Sequence, residues 1–252
     1  MHTKWDESGE WYAGCVGEKG HYYHQAVILP AVTRLLNLKQ KRSLLDLGCG
    51  QGVLARSVPA SIEYWGVDGS ELLLKEAKKL TKREQCHFVC ADATAQLPIE
   101  KRDFDCACFI LSLQNMENLQ GAIATASQHL KTGGELLLVL NHPCFRIPRQ
   151  SQWGIDSASK LQYRRMNRYM SPEKIPIQTS PGKGERSTTT WSYHAPISLY
   201  AQALLKAECL IVTIEEWISD RKSEGAKARM EDRARKEFPL FLTFLAKKCG
   251  RG

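Results

Sequence analysis

The stretch Ser43-Leu44-Leu45-Asp46-Leu47-Gly48-Cys49-Gly50-Gln51-Gly52 places one carboxylate and three alternating glycines within ten residues. Glycines at 48, 50 and 52 stand where a side chain would collide with a bound ligand or a sharp turn. The run reads as a short apolar strand entering a glycine-rich turn, with a helix beginning near Gly52. A helix start presents free N–H groups and positive dipole character, which suits a ligand carrying oxygens and a charged end. A strand-turn-helix without a ligand also accounts for the glycines taken alone. Two further acids sit at strand ends. Tyr64-Trp65-Gly66-Val67-Asp68 ends in a carboxylate able to accept both hydroxyls of a ribose, as in dinucleotide folds. Phe88-Val89-Cys90-Ala91-Asp92-Ala93 ends in another, suited to an adenine amino group.

Taken together, Asp46-x-Gly48-x-Gly50-x-Gly52, Gly66-Val67-Asp68 and Ala91-Asp92-Ala93 resemble a class I S-adenosylmethionine-dependent methyltransferase. The pattern is G-x-G-x-G and not the G-x-G-x-x-G of nicotinamide enzymes. The resemblance implies S-adenosylmethionine as cofactor, with Gly48 and Gly50 under its methionine part and Asp46 near its amino group. It implies Asp68 on the ribose and Asp92 on the adenine amine, with Gly52, Gly69, Ser70, Ala93 and Leu111 completing the cofactor site.

These residues need a sheet to hold them. The chain reads as α/β: a Rossmann-like seven-stranded mixed sheet flanked by helices, with an inserted cap after the fifth strand. The family implies that the last strand is antiparallel, between the fifth and sixth. Residues 1–42 form an N-terminal arm with Trp5, Trp11 and Tyr12, then a lid helix over His21 to Leu38. Residues 43–144 and 193–252 form the cofactor-binding core, and residues 145–192 the substrate cap. The cap lacks a helical period and is rich in Arg, Tyr, Ser, Thr and Pro. Leu161 to Met170 reads as extended, with a turn near Pro181-Gly182-Lys183-Gly184. Later elements are a helix over Pro196 to Glu208, a strand over Cys209 to Ile218, a charged helix over Ser223 to Phe238 and a last strand from Pro239 to Ala246.

Phe104-Asp105-Cys106-Ala107-Cys108-Phe109-Ile110-Leu111 is a fourth strand, followed by Gln114 and Asn115. Ligands of open α/β sheets sit beyond the carboxyl ends of strands, so Gln114 and Asn115 are expected near the transferred methyl. Amine-methylating relatives carry an Asn/Asp-Pro-Pro-Tyr/Phe motif at this place, which the chain lacks. His142, His194 and lid residue Tyr23 are the candidate general bases, each weighed against a structural, hydrogen-bonded role. Tyr22 and His24 are lid residues. Arg146, Arg149, Arg164, Arg165 and Arg168 concentrate positive charge beside the expected mouth. Arginine forks match carboxylates and phosphates, so Arg146 and Arg164 are the candidate acceptor-binding residues.

His142-Pro143-Cys144-Phe145-Arg146-Ile147-Pro148-Arg149, Trp153, Tyr163-Arg164-Arg165 and Tyr193-His194-Ala195-Pro196 extend the resemblance to methyltransferases of the type 11 group. That group is loosely similar to quinone and small-molecule methyltransferases. The function implied is methyl transfer to the O or C atom of a small, anionic or quinone-like molecule. The alternatives are an RNA, chiefly tRNA, methyltransferase and a non-catalytic S-adenosylmethionine-binding protein, with a nicotinamide dehydrogenase more distant.

Composition bounds the rest. The 252 residues, 43% of them apolar, can bury a sizeable single core. Residues 1–140 hold 15 Lys and Arg against 16 Asp and Glu; residues 141–252 hold 20 against 11. The net charge of +8 therefore belongs to the part after the cofactor half, which suggests an anionic substrate, an acidic surface or RNA. Arg221 to Lys236 interleaves acids with its bases, favouring a salt-bridged helix over an RNA grip. Nine cysteines show no C-x-x-C, so small buried thiols are expected and no metal site. With no export signal or membrane-length apolar run, the expected location is cytoplasmic.

Overall fold

The computed structural model describes Gly17 and residues 19–178 and 189–250. The expected aromatic arm over residues 1–16 and the turn near Pro181-Gly182 lie outside the described residues. A π-helical turn, His24–Ile28, runs directly into α1, Leu29–Leu35, with Pro30 in the first turn of α1. An absent N–H leaves little unsatisfied there. Then come β1 (Ser43–Leu47), β2 (Glu63–Asp68), α2 (Glu71–Leu80), β3 (Cys86–Cys90), β4 (Phe104–Ile110), α3 (Leu119–His129) and β5 (Leu130–Asn141). Two hairpins follow, β6 (Ser151–Asp156) with β7 (Leu161–Met166), and β8 (Glu173–Gln178) with β9 (Thr189–His194). The chain closes with α4 (Ile197–Lys206), β10 (Cys209–Trp217), α5 (Ala228–Glu237) and β11 (Phe241–Lys248).

The main sheet has seven strands in the order β3-β2-β1-β4-β5-β11-β10, and β11 runs antiparallel to both β5 and β10. The expected architecture therefore holds. Its strands are apolar runs because both sheet faces are covered. Leu45, Ala107, Phe109, Leu136, Leu138 and Phe244 pack on one face, with α3 and α4 over them. Leu44, Tyr64, Cys106, Cys108, Leu137 and Val139 pack on the other, under the lid helix. Side chains alternate between faces along a strand, so Asp46 shares the lid-side face with Leu44.

Several local expectations are corrected. No regular helix follows Gly52; residues 51–58 form successive turns. Gly52 itself is left-handed, with φ 76°. Arg83 holds that run together. Its guanidinium donates to the carbonyls of Ala55, Val58, Pro59 and Ile62 at 2.9–3.1 Å. The charged helix begins at Ala228 and not at Ser223, after Gly225 at φ 84°. β3 is a half-buried edge strand with Cys90 exposed, whereas Cys106 and Cys108 are fully buried. Among the described residues no helix is long and apolar enough to cross a membrane.

The hairpins are tied down at several points. Arg164 donates to Phe145 O at 2.5 Å and to Ser151 Oγ at 2.9 Å. Glu117 accepts from Lys174 and from the Tyr193 hydroxyl. Arg233 of α5 donates to Lys160 O at 3.0 Å.

Candidate cofactor and acceptor site

β1 leads to β2 on one side of the sheet, while β4, its neighbour, leads to β5 on the other. Such a switch point opens a crevice at the carboxyl ends of the strands, and the glycine run lies in it. The N–H groups of Gly48 and Cys49 both donate to Val67 O, at 2.7 and 3.0 Å, folding the chain off β1 towards β2. Gly48 and Gly50 have φ of 77° and 54°, a region that costs an L-residue on the order of 1 kcal/mol or more. A Cβ at Gly48 would also overlap Ser112, whose hydroxyl donates to Leu47 O at 2.6 Å.

Beside this turn is a small, partly open cleft. Asp46, Gly48, Cys49 and Gln51 line its floor, with His24 and Leu29 of the lid opposite. Asp46 is buried, and one carboxylate oxygen accepts the Tyr64 hydroxyl at 2.6 Å. Burial raises its pKa to about 6, against the lowering effect of the Tyr64 and Cys108 bonds. At neutral pH the floor therefore carries a mostly ionised carboxylate with little solvent around it, which favours a cationic ligand group.

Asp68 ends β2 with its carboxylate turned back over the glycine run. It accepts Gly50 N at 2.8 Å and Ser70 N at 2.9 Å. The same carboxylate that is expected to meet a ribose thus also fixes the shape of the loop. Gly69 separates it from Ser70, whose hydroxyl caps α2 by accepting Leu73 N at 3.3 Å. Asp92 accepts the N–H and hydroxyl of Thr94, each at 2.8 Å, and is half-buried. The Ala93 side chain packs in the core beyond it.

At the end of β4, Leu111 is left-handed with φ 53° while its N–H donates to Val139 O at 2.8 Å. For a bulky side chain this is a strained backbone, and such strain concentrates at functional sites. Gln114 and Asn115 follow in a 3-10 turn. Gln114 Oε1 is buried without a hydrogen-bond partner, and Asn115 Nδ2 donates to Leu111 O at 3.4 Å.

The three candidate bases are all engaged. His142 is buried; its Nδ1 accepts from Cys144 N and Phe145 N at 3.2 and 3.4 Å, and Nε2 meets Glu216 Oε1 at 2.7 Å. That fixes the proton on Nε2 and leaves neither nitrogen free. Burial also lowers its pKa. His194, the last residue of β9, bonds Tyr169 O at 2.8 Å and pins the cap to the start of α4. The Tyr23 hydroxyl lies 2.9 Å from Ser219 Oγ. The residue that reaches the cleft is instead His24, read from sequence only as a lid position. It belongs to the π-helical turn, its Nδ1 is enclosed without a partner, and burial lowers its pKa to about 4. π-Helical turns recur at functional sites. A Cβ on Gly20 would crowd His24 Cβ and Val53 at 2.8 Å, so a glycine there admits the close lid packing. Gln51 was also missed; it is buried and donates to Gly17 O at 2.6 Å, binding lid to loop.

Arg164 is held by its cap bonds and lies over the Trp153 ring at 4.9 Å. Arg146 lies 6.0 Å from the same ring and is half-buried, with Nε enclosed and unpartnered.

Residues 45–138 match the family described as Methyltransferase domain. Over those residues the chain is similar to a methyltransferase domain. A demethylmenaquinone methyltransferase from Tropheryma whipplei (strain Twist) is 30% identical over 115 residues, 45% of this chain and 48% of that relative. The chain thus spans about half the length of the curated relatives it matches. An S-adenosylmethionine-dependent methyltransferase from Mesorhizobium loti superposes with TM-score 0.68 at 23% identity, covering 89% of this chain and 99% of that one. The S-adenosylmethionine-bound amino pentose methyltransferase from Micromonospora echinaspora gives TM-score 0.62 at 17% identity, over 94% and 96%. At these identities the likeness is one of fold. The methyltransferase domain match takes in Asp46, the glycines, Asp68, Asp92, Leu111, Gln114 and Asn115, while the lid and cap lie outside it. An RNA-binding role for the basic part gains no support. On α5, Arg235 donates to Ser223 Oγ and Arg233 to the cap.

Proposed function

We propose that the chain is an S-adenosylmethionine-dependent methyltransferase acting on the O or C atom of a small molecule. The observation that carries this reading is the cleft at the switch point, where a glycine turn faces a buried, mostly ionised Asp46. That floor fits a cofactor with cationic groups and a close-packed backbone contact. The cofactor supplies a methyl group made electrophilic by its attachment to sulfonium sulfur. The chain's own part is alignment and exclusion of water. Asp46 places negative charge under the cationic end, Asp68 orders the loop and is available at the β2 end for ribose hydroxyls, and Asp92 stands at the β3 end for the adenine amine. The strained backbone at Leu111 presents the end of β4 towards the acceptor side, with Gln114 Oε1 able to accept a hydrogen bond from the acceptor. The lid residues His24 and Leu29 close the cleft. His142 acts here as a positioning residue that holds the turn after β5 to β10, and His194 as one that ties the cap to the start of α4.

The test is direct. Asp68→Ala weakens S-adenosylmethionine binding at least tenfold in a calorimetric titration, equivalent to about 1.4 kcal/mol. An unchanged affinity in a folded variant would show that Asp68 serves only the loop.

A further inference from the structure

Arg146 lies between the lid and the cap, just past the carboxyl end of β5, with its N–H bonded to His142 O at 2.8 Å. Its guanidinium differs from those around it. Arg164 is held by Phe145 O and Ser151 Oγ, and Arg235 by Ser223 Oγ with Glu231 3.9 Å away. Arg146 has an enclosed, unpartnered Nε and no ion pair among the described residues. After burial, the groups that act on it most are Arg164, Tyr23 and Arg235, and no carboxylate is among them. Burial and its cationic neighbours push it down to about 10. A half-buried cation facing two other cations destabilises the free protein, and no carboxylate among the described residues pairs with it.

The surroundings define what would compensate it. Trp153 and Phe145 each meet Phe238 edge to face, with ring centroids 5.3 and 5.4 Å apart, forming an apolar wall. Trp153 also lies under both Arg146 and Arg164. On the other side is Tyr23, whose chain neighbour His24 lines the cofactor cleft. The arginine is thus separated from the lid residue lining the cleft by Tyr23. A planar fork matches an oxyanion in two-point contact. A neutral ring carbonyl would leave the charge uncompensated.

We infer that Arg146 reads an oxyanion, and that the methyl acceptor is a small molecule carrying a carboxylate or phosphate beside an apolar body. The acceptor part of this inference rests on the methyltransferase reading; the anion subsite does not.

The full chain is titrated calorimetrically with benzoate, phenyl phosphate and neutral benzyl alcohol at matched ionic strength. The expected result is saturable binding of at least one of the two anions, at least tenfold weaker in Arg146→Gln and unchanged in Arg165→Gln, an exposed arginine on β7. Binding of benzoate alone assigns a carboxylate, and of phenyl phosphate alone a phosphate. Arg146→Lys, which keeps the charge but not the fork, falls between wild type and Arg146→Gln and serves if the glutamine variant does not fold. The melting temperature of wild type rises with the bound anion, and that rise disappears in Arg146→Gln. Absence of anion binding overturns the inference, as does equal binding of benzyl alcohol or full retention of affinity in Arg146→Gln. S-adenosylmethionine is titrated into the same proteins. Anion binding without cofactor binding sinks the methyltransferase reading and leaves the subsite standing; the reverse result sinks the subsite alone.

Discussion

Asp46 is buried on the lid-side face of β1, and its carboxyl takes up a proton at about pH 6 because burial disfavours the charged form. The sign of the consequence follows. Above that pH the ionised carboxylate attracts the cationic end of the cofactor; below it the attraction is lost. Affinity for S-adenosylmethionine is predicted to fall by up to tenfold per pH unit below about 6, and to lose that dependence in Asp46→Asn. Calorimetric titrations from pH 5 to 7.5 check this, and a flat wild-type profile would contradict it. His24 titrates lower, near 4, and so stays neutral throughout. Asp46 was legible in the sequence as an acid ahead of alternating glycines. Its partner Tyr64 was not, because their contact depends on the β1–β2 register, which pairs Asp46 with Gly66 and Leu44 with Tyr64. His24 escaped for a similar reason. Its enclosure depends on Gly20 and Val53, which meet it only after the lid has docked.

At the scale of elements, the lid is the part most open to change. Near its start it is clasped by the Tyr23 hydroxyl at Ser219 Oγ, and by the Tyr22 hydroxyl donating to Asp220 at 2.8 Å with Arg221 stacked 4.2 Å over the ring; further along, Arg34 pairs with Glu215 of β10. The part-buried Tyr23 hydrogen bond is worth about 1 kcal/mol. Replacing Tyr22 and Tyr23 together by Phe is predicted to speed amide hydrogen exchange in residues 21–35 by roughly tenfold, to weaken cofactor binding several-fold and to leave global unfolding little changed. Exchange rates like those of wild type would show that packing and the Arg34–Glu215 pair keep the lid closed without the two hydroxyls. The central strands β1, β4 and β11 were legible because each is a short apolar run covered on both faces. The segment after Gly52 was misread because Val53, Leu54, Ala55 and Val58 have helical spacing. Left-handed Gly50 and Gly52 and the four carbonyls taken by Arg83 instead stabilise a run of turns.

For the whole molecule, β11 joins the end of the chain to the middle of the sheet. It is hydrogen-bonded to β5 on one side and β10 on the other, and Phe244 and Ala246 have no exposed surface. Burying Phe241, Leu242, Phe244 and Leu245 contributes about 2 kcal/mol each, together of the order of the 5–15 kcal/mol that is a domain's whole net stability. A chain ending at Leu240 is predicted to show no cooperative thermal transition by circular dichroism; a wild-type-like melt would mean that the core closes without its last strand. Nothing local in residues 239–248 specifies a place between the fifth and sixth strands of the sheet. That position was read from the family resemblance. The cap was legible as an insert but not as two hairpins, because its order depends on long-range ties such as Arg164 to Phe145 and His194 to Tyr169. The central claim about the molecule is that the cleft beside Asp46 and the glycine turn takes S-adenosylmethionine. Calorimetric titration of the full chain with S-adenosylmethionine and S-adenosylhomocysteine measures it most directly: binding with a Kd on the order of micromolar, about −8 kcal/mol, is the predicted result, and no binding of either compound at neutral pH would contradict it.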